Sequence, residues 1–169
     1  VVRPVLSSRR GIVISCGIIP RYSDIDAYAM AAASVDEAVR NAVCVGVNLD
    51  QIAGLDNFCW PDPVESSKTP DGRYKLAQLV RANRALEETC RAYMLPCISG
   101  KDSMKNDAVL DGQKISVPPT LLFSLIGDHP DVRTAISSEF KQSGHVIYLL
   151  GETYDELGAS SVAYLLRDE

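Results

Sequence analysis

Three short segments of the sequence carry side chains that could bind a phosphate group or a metal ion. In the first, Glu37 and Asn41 lie four residues apart in an alanine-rich stretch with helical spacing. Residues four apart share one face of a helix, so a carboxylate and an amide oxygen would point the same way. Hard cations such as Mg²⁺ prefer oxygen ligands of this kind. Two polar residues on a solvated helix face are the alternative interpretation.

The second segment follows an apolar, strand-like stretch and contains Asp56, followed by a Trp-Pro-Asp-Pro sequence. Side chains at the carboxyl end of a strand often form ligand sites in α/β folds. Asp56 could therefore accept hydrogen bonds from a sugar or a base. A capped turn is the alternative, since Asp, Asn and Pro are common turn residues.

The third segment, residues 99–107, is polar and is predicted to form a loop after a short strand. Gly100 would let a ligand approach the main chain closely. Main-chain amides, the Lys101 ammonium and the Ser103 hydroxyl are donors suited to phosphate oxygens. The spacing is not that of a P-loop, so P-loop ATPase chemistry is disfavoured. A polar hairpin loop without a ligand is the alternative. We expect all three segments to converge on one bound polyphosphate.

Alternating helices and strands are predicted to position these segments. Hydrophobic periodicity predicts helices over residues 26–45, 71–93 and 130–143. Apolar runs predict strands over residues 11–17, 52–60, 95–98 and 146–150, and one interrupted strand or a strand pair over 114–126. This order favours an α/β (α+β) fold, with a mixed β-sheet and helices packed on one face, over a doubly wound parallel sheet.

The composition limits the classes of function. The chain has 169 residues, is 46% hydrophobic and has a formal net charge of −5, which fits a soluble globular protein and disfavours nucleic-acid binding. No apolar run approaches the roughly 20 residues that span a bilayer, so no membrane partner is expected. The five cysteines lack CxxC spacing, which favours buried packing thiols and a cytoplasmic location. His129 and His145 are expected at the surface, without a catalytic role.

Taken in order, the segments resemble the motifs of the phosphoribosylformylglycinamidine synthase family. The resemblance is carried by residues 35–41, 56–63, 96–104, 118–120 and 151–160. The Gly-Lys-Asp-Ser-Met sequence is the most specific motif, whereas the Glu-x-x-x-Asn helix is shared with the wider superfamily of aminoimidazole ribonucleotide synthetase-like enzymes. The resemblance implies an N-terminal synthetase-like domain from the second half of such an enzyme, over residues 1–144. Residues 145–169 would begin a truncated C-terminal domain.

The family resemblance implies a ligase that forms a C–N bond with glutamine as the amide donor. It would convert formylglycinamide ribonucleotide, glutamine and ATP to formylglycinamidine ribonucleotide in purine biosynthesis. The implied cofactors are ATP or ADP and Mg²⁺. The implied partners are the rest of a longer synthase, a glutaminase domain or subunit, and a homologous domain or second copy paired through its sheet. No catalytic residue is assigned, and the chain alone is predicted to be inactive.

The resemblance also implies roles for individual residues. Asp56, Gly100 and Lys101 would contact the nucleotide, and Ser103 would contact the formylglycinamide ribonucleotide. Lys101 departs from the smaller family members, which have a metal-binding asparagine there. An ammonium group cannot ligate Mg²⁺, so Lys101 is predicted to pair with phosphate instead.

The helix motif is assigned to metal binding by the same resemblance. Glu37 and Asn41 would hold Mg²⁺ together with a nucleotide. Three alternatives stay open: a non-catalytic module with a structural nucleotide, another ATP-using member of the superfamily such as a selenophosphate synthetase or thiamine monophosphate kinase, and a domain without a ligand.

Overall fold

The computed structural model describes residues 1–166 and contains a four-stranded sheet and a separate two-stranded hairpin. The strands are β1 (Gly11–Ile18), β2 (Asn48–Cys59), β3 (Cys97–Ser103), β4 (Asp107–Leu110), β5 (Gln113–Ser116) and β6 (Thr120–His129). The helices are α1 (Ala27–Cys44), α2 (Gly72–Ala92) and the short α3 (Ser161–Leu165). The strand order in the sheet is β1-β6-β2-β3. Strand β6 is antiparallel to both of its neighbours, and β3 is parallel to β2. The predicted mixed sheet is confirmed.

One face of the sheet is buried beneath α1. Along β6, the alternate residues Leu121, Phe123 and Leu125 are buried, as expected for a strand with one face in the core. Helix α1 begins at the N-cap Asp26, whose side chain accepts a hydrogen bond from the Tyr28 amide. The buried face of α1 packs on β1 and β6, and α2 packs on α1. Both long helices therefore lie on the same side of the sheet.

The opposite face of the sheet is not covered by any element within residues 1–136. Ile14 of β1 and Ile126 of β6 are adjacent in register on this face and are 64% and 41% exposed. Ile18, further along β1, is also exposed. This face therefore exposes several large apolar side chains to solvent.

Three predicted elements are wrong. The predicted helix over 130–143 is replaced by one turn of 3₁₀-helix, Val132–Thr134. Short helices need an apolar face packed on a core, and Ile136 and Phe140 are exposed instead. The predicted strand over 146–150 does not form, because no neighbouring strand in the described chain pairs with it.

The third wrong element is the polar loop over 99–107. Its first half, as far as Ser103, belongs to β3, because parallel pairing with β2 satisfies its main chain. The other predictions fall within a few residues of the observed elements. Pro118 and Pro119 separate β5 from β6, so the strand pair is the correct alternative for that region.

The described chain divides into two compact units. The first, Val1–Ile136, contains the sheet, both long helices and the hairpin, and the second starts at Ser137 and contains α3. The domain division at residues 144 and 145 stays a prediction, and residues 167–169 of the predicted second domain lie outside the described residues.

The cysteines and histidines differ from expectation in part. Only Cys90 is a fully buried packing thiol, and Cys16, Cys44 and Cys97 are exposed. His129 is buried, and its Nε2 lies 3.1 Å from the Val45 carbonyl oxygen. The histidine is drawn inside because it continues the buried face of β6. In the part of the chain that the structure describes, none of the helices has the length and apolar character needed to cross a membrane.

Candidate functional site

Glu37 and Asn41 lie one turn apart on α1, beside the outer edge of β1. Glu37 Oε2 accepts a hydrogen bond from the Ile18 amide at 2.8 Å, and Asn41 Nδ2 donates to the Cys16 carbonyl at 3.0 Å. Strand β1 is an edge strand of the sheet, so these two side chains satisfy main-chain groups that have no neighbouring strand. Each side chain retains one oxygen that these bonds do not use.

Gly17 allows β1 to lie directly against α1 at this point. A Cβ atom at Gly17 would be 2.0 Å from the Ser34 carbonyl oxygen and 2.9 Å from Glu37 Cβ. A hydrogen bond also joins β1 to α1 here, since the Ser15 hydroxyl donates to the Ala38 carbonyl at 2.7 Å. The close approach of strand and helix therefore sets the position of the Glu37 carboxylate.

Asp56 and Gly100 are neighbours on the paired strands β2 and β3, at the other side of the sheet. A Cβ atom at Gly100 would be 2.6 Å from Asp56 Oδ1. The glycine therefore leaves the space that the carboxylate occupies. Burial raises the pKa of Asp56 above its usual range, and the nearby charge of Asp102 raises it further. A bound cation or a hydrogen-bond donor would favour the ionised form of this carboxylate.

Lys101 and Ser103 alternate with Gly100 along β3, and they pair in register with Asn57 and Cys59 of β2. Successive side chains of a strand point to opposite faces. Lys101 and Ser103 therefore lie on the uncovered face of the sheet, and Asp56 and Gly100 lie on the helix side. Lys101 is exposed and Ser103 is half-buried.

The six predicted site residues form three groups rather than one. The strand order places the Glu37–Asn41 pair beside the β1 edge of the sheet, and the other two groups on the opposite edge strand β3 and on its neighbour β2. Three strand spacings separate these edges, which is roughly 14 Å. The prediction that the three segments converge on one polyphosphate is therefore wrong within a single copy of the domain. Strand order is a tertiary property that the spacing of motifs does not encode.

Glu37 and Asn41 fit Mg²⁺ only if other groups complete the set of ligands. Within residues 1–166 there is no cluster of three His, Cys, Asp or Glu side chains that could hold a metal ion. Mg²⁺ is commonly held by one or two side chains together with water and phosphate oxygens. The unused oxygens of Glu37 and Asn41 could be the two side-chain ligands of such a site.

A polar network that the sequence did not reveal lies under the β4–β5 hairpin. The Asp107 carboxylate is 3.0 Å from Lys114 Nζ and accepts a hydrogen bond from the Asp62 amide at 3.2 Å. Lys114 also donates to the Thr69 hydroxyl at 2.9 Å. Burial raises the pKa of Asp107, but hydrogen bonds from Ser116 and Lys114 outweigh it and hold that pKa below its usual range. Lys114 and Ser116 lie on the same hairpin as Asp107, whereas Asp62 and Thr69 are distant in sequence, so no local motif could have predicted the whole network.

Comparison with known proteins defines the class of this domain. Residues 1–122 match the family model described as "AIR synthase related protein, N-terminal domain". The match covers most of the chain, and the chain therefore belongs to the AIR synthase related family as its N-terminal domain.

Within this class, the chain is similar in sequence to the PurL subunit of phosphoribosylformylglycinamidine synthase. It is 32% identical over 159 residues to the phosphoribosylformylglycinamidine synthase subunit PurL of Gloeobacter violaceus, covering 94% of the chain and 19% of that protein. It is also 32% identical over 161 residues to the PurL of Deinococcus radiodurans, covering 92% of the chain and 20% of that protein. The chain thus spans about a fifth of the length of these relatives.

Solved structures of a related enzyme share the fold. Thermotoga maritima PurL complexed with ATP matches with a TM-score of 0.61 and 22% identity, over 80% of this chain and 20% of that chain. The same protein complexed with FGAR matches with a TM-score of 0.61 and 22% identity, again over 80% and 20%. The synthetase-like fold that the sequence predicted is confirmed.

Proposed function

We propose that this chain is the synthetase-like part of a phosphoribosylformylglycinamidine synthase, and that it helps to bind ATP or ADP and formylglycinamide ribonucleotide. The observation that carries the proposal is the contact between Asp56 and Gly100 on paired strands. It occurs in a chain that resembles PurL over 94% of its own length. The structures of PurL with ATP and with FGAR support the choice of ligands.

The reaction that we propose for the full-length protein has two steps. ATP phosphorylates the amide oxygen of formylglycinamide ribonucleotide, and ammonia released from glutamine then displaces the phosphate to give the amidine. Phosphoryl transfer depends mainly on positioning and on stabilisation of charge. The contribution of this chain is to bind and orient the ligands, and the catalytic residues lie elsewhere in the longer protein.

Each group of residues has a separate task in this proposal. Asp56 and Gly100 bind the nucleotide, the Lys101 ammonium pairs with phosphate, and the Ser103 hydroxyl binds the second substrate. Mg²⁺, when held by Glu37 and Asn41 on the other edge of the sheet, would neutralise phosphate charge. The hydrogen bonds from Glu37 and Asn41 to β1 would keep their remaining oxygens in a fixed position.

The uncovered sheet face explains how separated groups could form complete sites. We infer that this face pairs with the sheet of a homologous domain or of a second copy, which would bring the β1 edge of one domain near the β3 edge of the other. Exposed Ile14 and Ile126 support a covered interface here. A chain with half of each site would be inactive alone. The glutaminase would be a separate domain or subunit, and the free exposed cysteines support a reducing, cytoplasmic location.

Nucleotide binding by the full-length protein tests this proposal. Asp56→Asn removes the charge, and Gly100→Ala forces the Asp56 carboxylate to move. Both should weaken ATP binding by on the order of tenfold to a hundredfold, the range for a lost charge-assisted hydrogen bond. Asp111→Asn is the matched control, because Asp111 lies in the exposed hairpin turn with φ 51°, a conformation that asparagine accepts. Calorimetry that finds unchanged ATP affinity in both site variants would refute the proposal.

A second candidate function is a structural nucleotide site that does not take part in turnover. It is favoured by the bonds from Glu37 and Asn41 to the edge of β1, because a ligand bound there would stabilise the strand. Glu37→Gln in the full-length protein separates the two, with Glu87→Gln on the exposed face of α2 as the control. A lower Tm with unchanged turnover per folded molecule indicates the structural role. Lost turnover at an unchanged Tm indicates a catalytic site.

A further inference from the structure

The chain makes a strained turn directly after β3. The strand ends at Ser103, and Lys105 has φ 59°, in the left-handed region that is unfavourable for a lysine. Asn106 follows and is half-buried beneath the turn. A non-glycine residue holds such a conformation only where surrounding contacts enforce it.

Asn106 supplies those contacts. Its Nδ2 donates to the Ser103 carbonyl at 2.8 Å and lies 3.3 Å from Cys59 Sγ. Its main-chain amide donates to the Trp60 carbonyl at 3.0 Å, and its own carbonyl accepts from the Val117 amide at 3.2 Å. One residue therefore joins the ends of β2 and β3 to the segment that leads into β6.

The Ser103 carbonyl is held from two sides. The Trp60 amide donates to it at 2.8 Å, and Asn106 Nδ2 provides the second donor. The main chain of Ser103 is thus fixed at the end of β3. No group within residues 1–166 forms a hydrogen bond with the Ser103 hydroxyl, which lies on the uncovered face of the sheet and is available to a ligand.

We propose that Asn106 is a positioning residue, which sets the orientation of the Ser103 hydroxyl for the substrate without touching the substrate itself. The inference rests on the proposed function of Ser103. Asn106 would thus contribute to substrate binding as well as to the turn, although its side chain contacts the end of β3. When the main chain that carries the hydroxyl is already fixed, binding requires less ordering of that main chain, so the hydrogen bond contributes more to affinity.

A double-mutant cycle in the full-length synthase tests the proposal. The variants are Asn106→Ala, Ser103→Ala and the double variant, and the KM for formylglycinamide ribonucleotide, kcat and Tm are measured for each. Asn106→Ala should raise this KM by about fivefold to tenfold, as expected for one lost hydrogen bond. In the Ser103→Ala background, Asn106→Ala should cause no further rise, because residues that act through one contact are not additive.

Two further variants separate positioning from folding. Asn106→Asp keeps the volume of the side chain but cannot donate to the Ser103 carbonyl, so it should reproduce the KM of Asn106→Ala. Asn83→Ala is the matched control, since Asn83 also donates to a main-chain carbonyl, that of Leu79 at 3.0 Å, on the exposed helix α2. It should leave the KM for formylglycinamide ribonucleotide unchanged.

The outcomes that would overturn the inference are distinct. Equal increases in KM from Asn106→Ala with and without the Ser103 hydroxyl would show that Asn106 acts elsewhere. A lowered Tm with an unchanged KM in both Asn106 variants would show a purely structural role. An unchanged KM in Ser103→Ala alone would refute the proposed role of Ser103, and with it the basis of the inference.

Discussion

At the scale of single residues, Asp56 combines a proposed binding role with a cost to the folded chain. Burial and the neighbouring charge of Asp102 raise its pKa above the ordinary value of 3.8. The folded chain therefore binds a proton here over a pH range in which the unfolded chain has lost it. Stability consequently falls as the pH rises through that range. A carboxylate kept in such a place is typical of a functional site, and here the hydrogen-bond donors of a sugar or base would favour its ionised form.

This cost leads to a prediction for Asp56→Asn without ligand. The variant removes a charge that the fold disfavours, so it should raise the Tm of the full-length protein by about 2 °C at pH 7. The gain should shrink as the pH falls from 7 towards 4, because protonation of wild-type Asp56 removes the disfavoured charge. Thermal unfolding at the two pH values, with Asp111→Asn as the control, measures the difference. A larger gain at pH 4 than at pH 7 would contradict the assignment of the pKa shift.

At the scale of elements, the contact between β1 and α1 depends on one glycine. A Cβ atom at Gly17 would meet the Ser34 carbonyl at 2.0 Å and the Ala38 amide nitrogen at 2.8 Å, and main-chain atoms cannot move aside as a flexible side chain can. Strand and helix would have to separate. The hydrogen bonds from Glu37 and Asn41 to β1 join the same strand and helix, so this separation would lengthen them.

Gly17→Ala is therefore expected to destabilise the first unit by about 1–3 kcal/mol, the usual cost of overpacking. It should also speed hydrogen exchange of the Ile18 amide, whose acceptor is the Glu37 carboxylate. Gly158→Ala is the control, since nothing lies within 4 Å of a Cβ atom there. Equal exchange rates of the Ile18 amide in both variants would show that Gly17 does not hold β1 against α1.

The elements also show what the sequence alone can predict. The spacing of apolar residues on α1 and α2 predicted both helices to within two residues, because each buries one face. The motif on α1 correctly placed Glu37 and Asn41 on a common face. Strand β3 was predicted too short, since Cys97–Asp102 are all exposed and show no alternation of burial. Its main-chain pairing with β2, and hence the Asp56–Gly100 contact, depends on tertiary structure.

The strand order was equally inaccessible from the sequence. Motifs that follow one another along the chain were expected to meet, but β1 and β3 are the two edges of the sheet. Asn106 was missed for a related reason. Its partners Cys59 and Trp60 lie more than forty positions away in the chain, and only the fold brings the ends of β2 and β3 together.

At the scale of the whole molecule, the uncovered sheet face exposes apolar side chains that we propose a second sheet covers. Ile14→Glu and Ile126→Glu place a charge in the middle of this face. If the face pairs with another sheet, each variant should lower the Tm and the ATP affinity of the full-length protein, because a buried unpaired charge is costly. Ile136→Glu is the control, since Ile136 is exposed and lies outside the strands. Equal behaviour of the three variants would show that the face stays open to solvent.

The structure of the full-length protein with ADP and Mg²⁺ would test the proposed nucleotide site at Asp56 and Gly100 most directly. We expect a nucleotide within hydrogen-bond distance, about 3 Å, of the Asp56 carboxylate or the Gly100 main chain. We also expect the Glu37–Asn41 pair to lie beside the β3 edge of a second domain rather than in open solvent. A nucleotide bound well away from both Asp56 and Gly100 would contradict the proposed site.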